Sequence, residues 1–197
     1  MPQNRVASRE SGHFHAVRFY EDAQSLARMV ASFVGEGLIA SQPAIVIAAP
    51  AHAEGITREL VAMSFDIEKL AGRGHFLLLD VHETLARFML DGMPSASLFE
   101  ETMTETFDRM SRGRTDFVIR AYGEMVDILW KDKMEAAAVR LEMLWNQLAQ
   151  ARKFSLLCGY SMGSFYKDAG FKDICDQHTH ILSSAGTAAP LRPNTID

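Results

Sequence analysis

Three stretches of this chain carry residue types at spacings that could do chemistry. The first is residues 115–130, TDFVIRAYGEMVDILW, where Arg120 interrupts an apolar run and Glu124 follows a glycine. Taking a guanidinium out of water costs several kcal/mol, so Arg120 needs an internal carboxylate or a cavity where a ligand meets it. The pattern leaves two roles open: a structural Arg120–Glu124 pair at a strand–helix turn, or a contact to a bound molecule. The second stretch, residues 50–57, PAHAEGIT, has the length of the phosphate loop GxxxxGK[ST] and keeps its second glycine and its threonine. It lacks the first glycine, carries Ile56 where the lysine should meet phosphates, and sets Glu54 where it would repel them. The run FLLLD, ending in Asp80, resembles the strand whose acid helps hold Mg²⁺ in nucleotide hydrolases, but apolar strands ending in Asp are common. Without the lysine, ATP hydrolysis is not expected.

The third is a set of histidines paired at His13/His15 and His178/His180, with Cys175 three residues before His178. Alternate residues of a strand share a face, and Cys-x-x-His is a usable ligand spacing. Both groups lie near chain ends and no second cysteine pair completes a closed site, so the expectation is no metal. Gly163-Ser164 is not a nucleophile elbow. The polar residues that fall near the carboxyl ends of the expected strands are Tyr20, Asp80, Glu83, Glu124 and Tyr160, beside Arg120 and with Cys158 close by. Together they suit a small pocket with a few hydrogen-bonding groups in an apolar wall; ordinary edge polarity around one ion pair is the plainer alternative.

The elements that must position these groups follow from hydrophobic period. Residues 15–20 read as a strand, and Asp22 caps a helix with the face Leu26, Met29, Val30, Phe33 and Val34, ended by Gly37. AIVIAA (44–49) is a second strand, with a helix opening at Pro50. FLLLD (76–80) is a third, followed by a short helix over 82–90. Ser97 with Glu100 fits a capping box ahead of the stripe Phe99, Met103, Phe107 and Met110. Residues 115–130 give a strand, a turn at Gly123 and a helix. Residues 133–151 form the clearest helix, with Met134, Ala138, Leu141, Trp145 and Leu148 in register, and Trp145 is assigned to the core. Residues 154–158 are a fifth strand. Beyond His180 the composition predicts a frayed end. Five apolar strands separated by helices predict an α/β fold: three layers, with a mostly parallel central sheet of about five or more strands covered on both faces.

At 197 residues the chain can bury its own core as one domain. Its net charge of -5 argues against nucleic acid as the main partner; its nearest basic cluster is only Arg112 and Arg114. No apolar run approaches a membrane span and residues 1–13 lack the core of a signal peptide. Two cysteines, Cys158 in an apolar strand and Cys175, fit free thiols in the cytoplasm.

The pieces HAVRFY (15–20), FVGEGLIASQPAIVIAAPAH (33–52), GHFLLLDVHETLARFMLDGMPSASLF (74–99), RAYGEMVDILW (120–130), LEMLWNQLA (141–149), FSLLCGYSM (154–162) and CDQHTHIL (175–182) run collinearly over nearly the whole chain. In that order and spacing they resemble the MEDS domain, the methanogen/methylotroph DcmR-type sensory domain. His15 and Tyr20 match the family's opening motif, which usually carries a His near Arg18 and a Cys near Val17, where this chain departs. The resemblance implies a RecA/KaiC-like core without a working phosphate loop, acting as a cytoplasmic sensor of a small organic molecule. Such domains are often fused to kinases or DNA-binding regulators; here the match uses up the chain, which implies a stand-alone, non-enzymatic sensor relaying to a separate histidine kinase or transcriptional regulator. The expected layout is a disordered lead over 1–12, one sensory domain over 13–182 and a flexible tail over 183–197. The expected ligand contacts are His15, Tyr20, Asp80, Glu83, Arg120, Glu124, Cys158 and Tyr160, with no catalytic residue, cofactor or metal. A ligand-free interaction module is the first alternative and a degenerate nucleotide-binding ATPase using Asp80 or Glu83 with Mg²⁺ the second, and Phe165, Tyr166 and Phe171 could serve a homo-oligomer interface.

Overall fold

Each apolar run that the hydrophobic period marks as a strand pairs in parallel with another. The computed structural model describes residues 14–111, 117–164, 170–182 and 188–191. The lead over 1–12, His13, Arg112, Arg114, Phe165 and Tyr166 lie outside these, as does most of the tail. In chain order the elements are β1 (Phe14–Tyr20), α1 (Ala23–Ile39), β2 (Ala44–Ala48), α2 (Pro50–Ala62), α3 (Ile67–Gly72), β3 (Phe76–Asp80) and α4 (Val81–Ala86). A small hairpin of β4 (Met89–Leu90) and β5 (Met93–Pro94) leads to α5 (Ala96–Ser111), β6 (Ile119–Gly123), α6 (Met125–Lys131), α7 (Glu135–Ala151) and β7 (Phe154–Ser161). The chain closes with α8 (Gly170–Asp176), β8 (His180–Leu182) and β9 (Ala188–Pro190). The main sheet has seven strands in the order β3-β2-β6-β7-β1-β8-β9, parallel except for the β8–β9 pair.

Alternation along the strands sorts the core into two layers. Val17, Ile45, Ile47, Ile119, Ala121, Leu156 and Cys158 face the side covered by α4 to α8, where Phe99, Trp130 and Trp145 are buried. Ala16, Val46, Tyr122 and Leu157 face α1 and α2, against Leu26, Val34, Ile56 and Leu60. The architecture is three layers, as the hydrophobic period implies, and Trp145 is core at 1% exposure. Asp22 caps α1, its side chain accepting from the Ser25 amide.

Four local expectations are corrected. The helix read over 82–90 stops at Ala86, because the chain turns into the β4–β5 hairpin, where Asp91 and Gly92 adopt positive φ. Helix α5 begins at Ala96, so Ser97 lies inside it rather than capping it. Helix α1 runs through Gly37 to Ile39. The end expected to fray beyond His180 contributes two strands: β8 pairs with β1 through Ala16–His180 and Val17–Ile181, and β9 pairs back on β8. Strands of three residues carry no period to read, and the partner of β8 lies far away in sequence.

Arg120 departs furthest from expectation. It pairs with Ala44 at the first residue of β2, so it lies toward the amino end of the sheet. Three residues separate it from Gly123, about 10 Å along a strand. Its side chain crosses Gly37 of α1, where an added Cβ would lie 2.3 Å from the Arg120 Cγ. Its Nε donates to Gln42 Oε1 at 2.9 Å, and the guanidinium stands 5.0 Å over the Phe33 ring. Arg120 therefore packs α1 onto β6 and meets neither Glu124 nor the carboxyl edge. Gly37 is tolerated inside α1 because only a residue without Cβ lets this arginine pass. Gly37→Ala is expected to destabilise the protein by about 1–3 kcal/mol, as overpacking does, and by less in an Arg120→Ala background; urea unfolding of the double-mutant cycle measures both.

Candidate functional site

In a parallel sheet the carboxyl ends of the strands open toward ligands. Here those ends hold two buried carboxylates, one at the end of an apolar run and one that no hydrophobic pattern announces. Glu124, 1% exposed, follows β6 directly. It accepts hydrogen bonds from the Ala49 amide (2.5 Å) and the Tyr122 hydroxyl (3.2 Å), and its Oε2 lies 2.7 Å from His52 Nδ1. Asp127, also 1% exposed, is one turn further along, in α6. It accepts from the Tyr20 hydroxyl (2.7 Å), from Lys131 Nζ (2.6 Å) and from the Ser161 amide (2.9 Å). Lys131 Nζ also donates to the Tyr20 hydroxyl at 3.2 Å. Tyr122 reaches Glu124 only because Gly159 lies beneath it; a Cβ there would stand 2.7 Å from the Tyr122 hydroxyl.

Tyr20 from β1, His52 from α2, Glu124 and Asp127 from the β6–α6 turn and Ser161 from β7 thus form one polar layer across four strand ends. Burial, and then Asp127, push the Tyr20 phenol well above its usual range. Burial and then Glu124 do the same to Tyr122, so both phenols stay protonated donors. The hydrogen bond to Glu124 pulls the His52 pKa up, against the opposing pull of its burial. The solvent-facing members are His52 and Lys131, whose side chains are 20% and 40% exposed. A nearby shallow groove between Pro50, Ala53, Thr57 and Val61 of α2 and Leu78 of β3 contains none of these polar groups.

A second polar cluster lies under the opposite face of the sheet, between β1, β7 and α7. Glu142 of α7 is fully buried. It accepts from the Tyr160 hydroxyl at 2.8 Å, and its carboxylate oxygens lie 3.1 Å from His15 Nε2, 3.4 Å from His178 Nε2 and 3.6 Å from Cys158 Sγ. The His15 and His178 rings are 4.2 Å apart. Burial works against ionising Glu142, but His178 and His15 together outweigh it and hold the carboxyl well below its ordinary range. Burial, and then His178, lower the His15 pKa, which keeps that imidazole neutral. Burial and then Glu142 raise the Cys158 thiol and the Tyr160 phenol.

The residues expected to form one pocket therefore divide. Tyr20 and Glu124 share the carboxyl-edge layer; His15, Cys158 and Tyr160 share the cluster around Glu142. Asp80, at the carboxyl end of the outermost strand, caps α4 by accepting from the His82 and Glu83 amides at 2.8 and 2.9 Å, and Glu83 is exposed. Arg120 lies at the other end of its strand. Sequence reasoning missed His52, Tyr122, Asp127 and Lys131 in the first group and Glu142 and Asn146 in the second, and it weighed His178 only as a metal ligand beside Cys175. A signal existed for two of them: Glu142 and Asn146 directly follow Leu141 and Trp145, so they border the apolar stripe of α7 where a polar residue needs a partner.

The family model for the MEDS domain, described as the methanogen/methylotroph DcmR sensory domain, matches residues 14–179. Among solved structures, a KaiC-like protein from the hyperthermophilic archaeon Pyrococcus horikoshii OT3 superposes with a TM-score of 0.59 at 12% identity, over 84% of this chain and 70% of that one. That likeness shows the fold, a RecA/KaiC-like α/β core. No curated protein matches significantly in sequence. Among the described residues, no helix is long and apolar enough to cross a membrane.

The His52–Glu124 contact makes stability depend on pH. A histidine whose folded pKa is raised contributes stability that is complete below its unfolded value, here the ordinary 6.5, and that fades as pH rises through the folded value. Urea unfolding over about pH 5–9 should therefore show a His52→Gln deficit that is largest at the acid end and shrinks toward the alkaline end.

Proposed function

We propose a sensory function from the premise that this chain belongs to the MEDS family of sensory domains. The module reads a small polar organic molecule at the carboxyl edge of its sheet, in the cytoplasm, and performs no chemistry on it. The observation that carries this reading is the layer of Tyr20, Glu124 and Asp127, buried and hydrogen-bonded, with His52 and Lys131 turned toward solvent above it. The buried carboxylates already have donors, so a ligand meets the two nitrogen-bearing side chains, which suit an acceptor group such as a carbonyl or carboxylate. Drawing Lys131 away from Asp127 and Tyr20 changes how the β6–α6 turn is held against β1 and β7. A ligand that prefers one of those arrangements shifts their populations, and a separate kinase or transcriptional regulator reads the change.

Nucleotide is disfavoured as that ligand on two grounds. Helix α2 starts at Pro50, two residues after β2 ends, with no loop between them to wrap phosphates. The Ala49 amide at its amino end, the kind of donor a phosphate would use, is already taken by Glu124. A ligand-free docking module is the second reading, favoured by the apolar surface beside the edge strand, where Val61 of α2 and Leu78 of β3 are 57% and 41% exposed.

Thermal-shift screening of the full chain against small organic acids and carbonyl compounds tests the proposal. A true ligand at about 100 times its Kd should add about 2.7 kcal/mol, and Lys131→Met or His52→Gln should remove that gain while the ligand-free fold is kept. A shift that survives both substitutions sinks the assignment, as does a larger Mg²⁺-dependent shift with ATP. A partner bound regardless of any metabolite favours the docking module.

A further inference from the structure

The cluster around Glu142 has features that packing alone does not explain. His178 Nδ1 lies 2.7 Å from the Ile174 carbonyl oxygen. A carbonyl only accepts, so Nδ1 carries a hydrogen, and in the neutral form that a metal ligand must take, Nε2 keeps the lone pair. That Nε2 is buried with no hydrogen-bond partner, and it faces a carboxylate oxygen of Glu142, another acceptor. His15 repeats the arrangement. Its Nδ1 lies 2.9 Å from Asn146 Oδ1, and Asn146 is oriented by donating its Nδ2 to the Gln177 carbonyl at 2.9 Å. The lone pair of His15 Nε2 is thereby turned onto Glu142 Oε2 at 3.1 Å and Cys158 Sγ at 3.3 Å. With both rings neutral, two imidazole lone pairs, a carboxylate and a thiol sulfur converge in a fully buried space, where a cation at the centre would meet only donors.

We propose that His15, Glu142, Cys158 and His178 bind a divalent transition-metal ion of the zinc type. The four donor atoms lie within 4.8 Å of one another. Zinc bonds of about 2.0–2.3 Å in a tetrahedron place neighbouring donors about 3.3–3.6 Å apart. Around Glu142 Oε2 and Cys158 Sγ the contacts are 3.1, 3.3 and 3.6 Å, and His178 lies 3.4 Å from the other carboxylate oxygen. The ion would draw the wider pairs of the 4.8 Å cluster together. A thiolate and a carboxylate together offset the two charges of the ion, so the buried unit is neutral. Both histidines hand their other N–H to a carbonyl-type acceptor, the arrangement that orients metal-bound imidazoles. Tyr160 steers the carboxylate from outside. All four positions of the tetrahedron come from the protein, which makes the site structural rather than catalytic. It ties the segment after α8 to β1, β7 and α7, independently of the carboxyl-edge layer.

The test uses the full chain, stripped of metal with a chelator and titrated with Co²⁺ alone. The expected result is roughly one Co²⁺ per chain with the intense absorption of tetrahedral cobalt and a thiolate-to-cobalt charge-transfer band, both displaced by Zn²⁺. Cys158→Ser should lose the charge-transfer band, whereas Cys175→Ser should keep it. Asn146→Leu, which leaves all four donors in place, should weaken Co²⁺ binding about 10–100-fold. A stripped wild-type chain that gives only the weak spectrum of octahedral cobalt overturns the proposal, as does a charge-transfer band that persists in Cys158→Ser. Should Cys158→Ser fail to fold, the wild-type spectrum and the Asn146→Leu affinity decide. If the stripped chain itself unfolds, refolding on adding Zn²⁺ supports the site and failure to refold refutes it.

Discussion

A carboxylate removed from water must be given donors or positive charge by the protein, and this fold does so for Glu124, Asp127 and Glu142. The donors come from different parts of the chain. Glu124 draws on β2, α2 and β6; Asp127 draws on β1, α6 and β7; Glu142 draws on β1, β7 and the segment after α8. Each acid therefore joins strands and helices whose apolar faces would pack in more than one register. Hydrophobic burial supplies most of the stability of such a sheet, but it is non-directional. The buried acids add direction, because a strand shifted by one residue would strand a charge without partners.

The same constraint shapes the entrance of the helix that follows β2. In nucleotide-binding folds the helix after a strand offers its free amides to phosphate. Here the corresponding helix starts immediately, and a glutamate from the next strand end accepts from the amide at its entrance. Fold similarity to a KaiC-like protein therefore speaks for the scaffold alone, and function belongs to the site. What this edge shows to solvent is an imidazole and an ammonium above a floor of tyrosines and carboxylates.

Beneath the other face, β8 adds to β1 while His178, just before it, reaches Glu142. The backbone ladder and the side-chain cluster hold the same short segment from two directions. Thr179 contributes as well: its hydroxyl accepts from the His15 amide and donates to the His15 carbonyl. A segment with so little apolar surface would otherwise gain little by leaving water.

Much of the fold was legible in residue order, because hydrophobic period is a local property. The runs at 44–49, 76–80 and 154–158, the turn at Gly123 and the long stripe of α7 all appear where the period puts them. The site was legible only in part. Tyr20 and Glu124 could be named because they end apolar runs, and His15, Cys158 and Tyr160 because they lie within or beside such runs or a family motif. That they belong to two groups rather than one follows from strand alternation combined with pairing order: His15, Cys158 and Tyr160 point toward α7, whereas Tyr20 and Tyr122 point toward α1 and α2. Arg120 looked like a ligand contact because a lone charge in a greasy strand demands an explanation, and the explanation was Gly37, Gln42 and Phe33 from a distant helix and loop. The sequence by itself determined which segments are buried and that some polar groups must be buried with them. Only the tertiary structure decided who meets whom, since His15 and Glu142 or Tyr20 and Asp127 touch across more than a hundred residues of chain, and no local pattern records a contact made by the folding of the sheet.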